Sequence, residues 1–239
     1  TKAFDITFAD KNNQLSHPHQ TSWGMSTRII GGIIMTHGDN NGLVLPPAVA
    51  PIQVVVVPVA QHKPGVLDKA NEVYEALKAA GIRVKLDDSD NSLGWKCAQW
   101  EMKGVPLRLE LGPRDIEKGQ CVAVRRDSFE KSPLSLEDLP AQVSAALEQV
   151  QQGLFDKAKR NLDEHCYPAA SLEEARQLQS ERGGFVKTMW CGDLACELAM
   201  KEQAGMSSRC IPFEQEHLGD TCACCGKPAT KMVYWGVAY

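Results

Sequence analysis

The chain of 239 residues carries 26 Lys and Arg against 30 Asp and Glu, a formal net charge of −4, with 43% hydrophobic and 23% charged residues. That composition suits an ordinary soluble protein with room for two or three small domains. The acidic balance excludes whole-protein attraction to nucleic acid, so any RNA contact must come from a local basic patch. Taken from the start, Phe4, Ile6 and Phe8 alternate as in a half-buried strand. A strand needs neighbours, and a chain opening at Thr1 without methionine is expected to be the C-terminal half of a longer protein. Asp10 to His19 reads as a polar turn. Its His17-Pro18-His19 cluster fits a solvated hairpin tip better than a metal site.

Ser26 and Thr27 are N-cap residue types, and Ile29, Ile30, Ile33 and Ile34 follow at helical spacing. His37 and Gly38 supply C-terminal signals, the glycine as a left-handed cap. Arg28 thus falls in the first turn of a short helix, directly after the small-residue corner Ser22-Trp23-Gly24. Helix starts favour anions, and a planar guanidinium there can grip phosphate or stack on a base. Gly31 and Gly32 each cost about 1 kcal/mol inside a helix, so another backbone or a ligand is expected to pack closely on them. A short strand from Leu43 to Leu45 precedes Pro46, Pro47 and Pro51, which mark a boundary.

From Ile52 the pattern becomes alternating strands and helices. The run Ile52 to Val57 is continuously apolar, as for a strand buried on both faces. It is too short to span a membrane and is followed by Pro58. Helices are expected over Val66 to Ala80, Leu93 to Lys103 and Leu139 to Leu162. Strands are expected over Ile82 to Leu86, Val105 to Leu111 and Gln120 to Arg126, the last two flanking a turn Gly112-Pro113-Arg114-Asp115. This order implies a mixed sheet with parallel members. Lys96, Arg108, Arg114, Lys118, Arg125 and Arg126 concentrate positive charge here, with Trp95 and Trp100 among them. Aromatics interleaved with basic residues suit stacking on unpaired nucleotides. A solvated charged face over a core that includes the tryptophans fits the same residues equally well.

Six of the nine cysteines lie at 191, 196, 210, 222, 224 and 225. Without a basic-then-apolar leader to suggest secretion, such clustering favours a metal over disulfides. Cys191 with Cys196, and Cys222 with Cys225, form two close pairs separated by a helix-length insert, the pattern of a structural tetrahedral zinc site. The C-x-x-C spacing leaves Cys224 as the spare, and Cys210 and Cys224 are then free thiols or substitute ligands. The competing reading is a set of small buried apolar cysteines. The last segment, Lys231 to Tyr239, alternates like a strand.

The wording of three stretches is more specific than their physics. TSWGMSTR, then HGD, then GLVLPP with AP-x-Q, resembles motif 3 of the prolyl-tRNA synthetases, which are class II aminoacyl-tRNA synthetases. The stretch GWKCAQWEMKGVPLRLELGPRD resembles the anticodon-binding domain that the prolyl enzymes share with the threonyl, glycyl and histidyl enzymes, in its prolyl version. The cysteine pairs match the zinc ligands of the same family. The resemblance implies that Arg28 contacts ATP and that Ser22, Trp23 and Gly24 line the amino-acid pocket. It implies that Glu101, Arg108, Arg114 and Asp115 read the guanine pair of the proline anticodon. Cys97 stands where the family usually has an aromatic, and a thiol stacks poorly on a base. In the family the terminal tyrosine, here Tyr239, turns its carboxylate back toward the catalytic centre, although WGVAY departs from the usual arginine and serine before it.

The resemblance further implies a multidomain α/β and α+β chain. Residues 1–48 would end a class II antiparallel-sheet catalytic domain, 49–152 form an α/β anticodon-binding domain with a mixed sheet, and 153–239 form a small α+β zinc domain. Motifs 1 and 2 and the proline-recognition loop would lie upstream, so the chain alone is expected to be inactive. The complete protein would be a cytoplasmic proline–tRNA ligase using ATP with Mg2+. Its expected partners are proline and tRNA(Pro), with a homodimer formed through the missing N-terminal part and neither membrane nor DNA involved. The alternatives are a non-catalytic tRNA-binding module and a metal-stabilised scaffold without an RNA role.

Overall fold

A computed structural model describes residues 1–238. The N-terminal portion opens with a two-stranded hairpin, β1 (Phe8–Ala9) and β2 (Leu15–Ser16), with Phe8 opposite Ser16. Its tip is Asp10 to Gln14, where the Asp10 carboxylate accepts from the amides of Asn12 and Gln14 at 2.8 and 2.9 Å. His17 lies beyond the tip, its Nδ1 3.0 Å from the Ile6 carbonyl oxygen. The strand expected through Phe4 and Ile6 does not form. Both side chains are exposed, and the residues before Ile6 make a turn because no second strand faces them.

Helix α1 (Arg28–His37) follows, and three expectations about it are corrected. Thr27 makes no side-chain cap. Gly38 is extended rather than left-handed, at φ −62°. Glycine is needed there for space, since a Cβ would meet the Ile34 carbonyl oxygen at 2.6 Å. Gly31 and Gly32 face open space, and α1 has no buried residue, so nothing described packs on that pair. Leu43 and Leu45 run extended without forming an assigned strand. Their amides donate to the carbonyls of Met102 and Gly104. The proline-rich link is tied down by the Arg83 guanidinium, which donates to the carbonyls of Pro47, Ala48 and Ala50.

The central unit is a five-stranded mixed sheet. β3 (Val54–Pro58) is buried along its whole length and pairs in parallel with β4 (Val84–Leu86) and β5 (Leu107–Leu111). β6 (Gln120–Arg125) pairs antiparallel with β5, and β7 (Lys131–Ser135) antiparallel with β6, giving the order β4-β3-β5-β6-β7. α2 (Val66–Ala79) buries Val66, Ala70, Val73 and Leu77 and gives way to Gly81 at φ +79°. α3 (Leu93–Met102) starts at Ser92, whose hydroxyl accepts from the Trp95 amide. The segment expected as a turn after β5 is a short helix, α4 (Pro113–Glu117), started by proline at its first position. α5 (Leu139–Glu164) runs unbroken across residue 152. Alternation in the strands divides the packing. Val54, Val56, Leu107 and Leu109 pack with α2 and α5, while Val55 and Val57 pack with Trp100 and Val105.

The C-terminal unit comprises β8 (Cys166–Pro168), α6 (Leu172–Arg182), β9 (Phe185–Trp190), α7 (Leu194–Ala204), β10 (Ser207–Cys210) and β11 (Lys231–Gly236). The sheet order is β10-β11-β9-β8, parallel between β8 and β9 and otherwise antiparallel. Ser171 and Asp193 cap α6 and α7 through their side chains. Tyr239 and its expected docking lie outside the described residues.

Candidate functional site

Glu101 sits in the last turn of α3, and Arg108 and Glu110 project from the same face of β5 because they are two residues apart in a strand. The Arg108 guanidinium lies between the two carboxylates, donating from Nη1 to Glu101 Oε1 at 2.7 Å and from Nε to Glu110 Oε1 at 3.0 Å. Burial pulls Arg108 down, but the hydrogen bonds to the Glu101 and Glu110 carboxylates outweigh it and hold the group above its ordinary value. Arg108 is only 8% exposed, with Nε and Nη1 both engaged. It is therefore a clamp on the carboxylates rather than a free arm. The Glu101 side chain keeps 23% of its surface open, and a carboxylate has about four acceptor positions, so it retains capacity toward solvent. Cys97 Sγ is 3.9 Å from Glu110, and burial pushes its thiol up, so it stays neutral. Arg114 is exposed on α4, beyond the far end of β5. Asp115 turns back on its own helix and accepts from the Gly112 amide at 3.3 Å.

The basic patch expected from the sequence is smaller in three dimensions. Lys96 is 2% exposed and donates to the Asp87 carbonyl and to Gln61. Arg126 is 3% exposed and paired with Asp39. Arg125 is bound by Asp127 at 3.0 and 2.7 Å. Arg114 and Lys118 remain as exposed cations of the six. The tryptophans divide likewise, Trp95 half exposed and Trp100 buried with Nε1 donating to Asp87 at 2.6 Å. Burial raises Asp87, but its bonds from Ser89 and Trp100 outweigh this and keep the carboxyl below its ordinary value. Glu110, Asp87 and Asp39 were not singled out from sequence. The alternation Arg108-Leu109-Glu110 in a strand could have flagged the first, and the HGD of residues 37–39 includes Asp39, whereas nothing local flags Asp87.

Ser22, Trp23 and Gly24 lie on an exposed stretch without regular structure, and Trp23 is 96% exposed. Arg28 is exposed at the start of α1, and its guanidinium has no hydrogen bond or ion pair among the described residues. These four residues are near in sequence but do not close a pocket among the described residues.

The fold brings the four cysteines of the two pairs together. The Sγ atoms of Cys191, Cys196, Cys222 and Cys225 all lie within 4.8 Å of one another. Cys191 Sγ is 3.7 Å from both Cys196 Sγ and Cys225 Sγ. Four thiolates around zinc at about 2.3 Å would sit about 3.8 Å apart, whereas a disulfide needs about 2.05 Å. Cys191 and Cys196 come from the β9–α7 junction. Cys222 and Cys225 come from a tight turn closed by bonds from the Gly226 amide to the Cys222 carbonyl and from the Cys222 amide to the Lys227 carbonyl. Burial pushes the Cys222 thiol up, but the amides of Cys224, Cys225 and Cys191 overcome it and bring the group to about 7. Cys224 is not part of the set. Its Sγ donates to the Cys196 carbonyl, and burial first, then the other thiols, pushes it up to about 11. Cys210 is exposed on β10.

Comparisons with known proteins agree across the chain. A family model described as "Anticodon binding domain" matches residues 53–146, and one described as "Prolyl-tRNA synthetase, C-terminal" matches residues 172–239. The chain is 56% identical over 239 residues to "Proline--tRNA ligase 2" of Bacillus thuringiensis (strain Al Hakam), covering 100% of this chain and 50% of that protein. It is 58% identical over 238 residues to "Proline--tRNA ligase" of Ruminiclostridium cellulolyticum, again covering 50% of that protein. The chain spans about half the length of the curated relatives it matches. In three dimensions it matches a prolyl-tRNA synthetase from Cryptosporidium parvum complexed with L-proline and AMP, at a TM-score of 0.90 and 40% identity, covering 100% of this chain and 52% of that one. The chain therefore belongs to the prolyl-tRNA synthetase family and corresponds to the C-terminal region of its members.

Proposed function

We propose that this chain is the anticodon-reading and C-terminal portion of a cytoplasmic proline–tRNA ligase. The complete enzyme would activate proline with ATP and Mg2+ and transfer it to tRNA(Pro), acting as a homodimer through residues outside this chain. The observation that carries the reading is the match of the whole chain, in one order, to a single solved synthetase at 40% identity. In this reading residues 1–48 close a class II catalytic domain, 49–152 read the anticodon and 153–239 form the zinc domain. Arg28 offsets phosphate charge at the mouth of α1, and Ser22, Trp23 and Gly24 wall the proline pocket. Tyr239 reaches toward that centre.

Anticodon reading falls to groups that remain available. Glu101 accepts from guanine N–H groups, Arg114 donates to guanine acceptors, and Asp115 fastens the start of α4, which presents Arg114. Arg108 holds the Glu101 carboxylate in place. Cys191, Cys196, Cys222 and Cys225 hold a structural zinc, whose chemistry is to crosslink two turns and leave no open coordination position.

By itself the chain is expected to bind tRNA(Pro) and to show no ATP–pyrophosphate exchange. Filter binding would compare a tRNA(Pro) transcript with one whose anticodon guanines are changed. A preference of about tenfold or more is expected, falling toward unity with Arg114→Ala, since one well-placed base contact gives about 1–3 kcal/mol of discrimination. Equal affinity for both transcripts would sink the reading.

A further inference from the structure

Arg126 emerges from the end of β6 into the junction between the central sheet and the N-terminal portion. It is 3% exposed, and its guanidinium serves two distant places at once. Nη1 and Nη2 each donate at 2.7 Å to the Asp39 carboxylate, 87 residues away, and Nε donates at 3.0 Å to the backbone carbonyl of Glu101. Glu101 is thus held at both ends, its carboxylate by Arg108 and its main chain by Arg126. Asp39 lies two residues after the end of α1 and fastens its own turn, accepting from the Asn41 amide at 2.8 Å and exchanging backbone bonds with Gly42.

The two backbones meet without slack. A Cβ on Gly42 would stand 2.6 Å from Met102 Cα, and one on Gly104 would stand 2.6 Å from Leu43 Cβ. The amides of Leu43 and Leu45 complete the junction on Met102 and Gly104.

We propose that Arg126 is a positioning residue coupling Glu101 to the segment that follows α1, so that RNA held at Glu101 is sensed by residues 39–45 and the end of α1. The proposal rests on the reading of Glu101 as an anticodon contact. Its physical basis is the two-bonded ion pair that the buried Arg126 guanidinium makes with the more open Asp39 carboxylate. A displaced Glu101 main chain must carry Asp39 with it or leave a desolvated guanidinium short of partners, and the second course is costly. The bond from Arg126, helped by the Asn41 amide, outweighs the upward push of burial and brings the Asp39 carboxyl to about 2, so the pair is intact at every physiological pH. A purely static staple would show the same contacts but no response to RNA.

The test is hydrogen exchange on the 239-residue chain with and without an anticodon stem–loop RNA carrying the proline anticodon. Exchange of the Leu43 and Leu45 amides and of the last turn of α1 is expected to slow about fivefold or more on binding. Asp39→Asn keeps the acceptor for the Asn41 amide but loses the charge and one guanidinium bond. Arg126→Lys keeps the charge but cannot reach both Asp39 oxygens and the Glu101 carbonyl together. Both variants are expected to bind the RNA within about threefold of the parent while the slowing disappears. Slowing that persists in both variants, or a parent chain that binds RNA without it, overturns the coupling. So does a loss of RNA affinity beyond tenfold in both, because Arg126 would then be acting on the contact itself. A parent chain that fails to bind the RNA takes down the underlying anticodon reading and the coupling with it.

Discussion

The central sheet and the C-terminal sheet solve the same problem with different means. On one face of β3 and β5 a large cluster of buried aliphatic residues, including Val54, Val56, Leu77, Leu107 and Leu109, is enclosed by α2 and α5, and on the other face Val55 and Val57 pack with Trp100 and Val105. The C-terminal unit splits its interior. One part packs Val186, Met200, Val233 and Trp235 beneath α6 and α7, and the other gathers Met189 and Met232 around Cys196 and Cys222. A small unit buries a smaller share of its surface and has less apolar area available for stability. The four thiols stand where that second cluster would otherwise need more hydrocarbon. One sheet is held by apolar area, and the other, on the proposed zinc site, by less area with a metal crosslink added.

Metal removal breaks the comparison most sharply. Stripping zinc from the Cys191, Cys196, Cys222 and Cys225 set with a strong chelator is expected to unfold the C-terminal unit while the central sheet survives, because a structural zinc contributes on the order of 10 kcal/mol. Hydrogen exchange of β9 and β11 against β3 and β5 would show it, and uniform protection in both sheets after chelation would refute the division. The converse perturbation is Leu77→Ala in α2. Leu77 is fully buried, and its truncation should cost about 2–5 kcal/mol in the central unit with bound metal unchanged. Denaturant melts read alongside metal content decide that. A smaller effect is expected at the junction with the N-terminal portion. Asp39 is depressed from its ordinary 3.8 to about 2, so its contribution is present above pH 4 and is lost as pH falls through about 2. An acid titration followed by the Leu43 and Leu45 amides should show loosening in that window. Asp39→Asn should flatten it.

Legibility followed the range of the interactions. The apolar run at Ile52 to Val57 and the helical periods of α2 and α3 were readable, because each is written within one or two turns of chain. The cysteine set was readable too, since its paired spacing is a local signature of tetrahedral ligation. The hairpin was misread because Phe4 and Ile6 alternate correctly but have no partner strand. The Gly112 to Asp115 stretch was read as a turn, while proline at its first helical position and Asp115 folded back on the Gly112 amide continue it into α4. The charged residues were the least legible. Lys96, Arg108 and Arg126 looked like one RNA-facing patch, yet each is buried against a partner.

By itself the sequence determined the family, the strands and helices of the central unit apart from β7 and α4, and the identity of the four clustered thiols. All of these depend on residue type and short-range periodicity. Only the tertiary structure decided which cations remain free. Whether a guanidinium faces solvent depends on a carboxylate that can lie 87 residues away, as Asp39 does from Arg126, and no local pattern encodes that meeting.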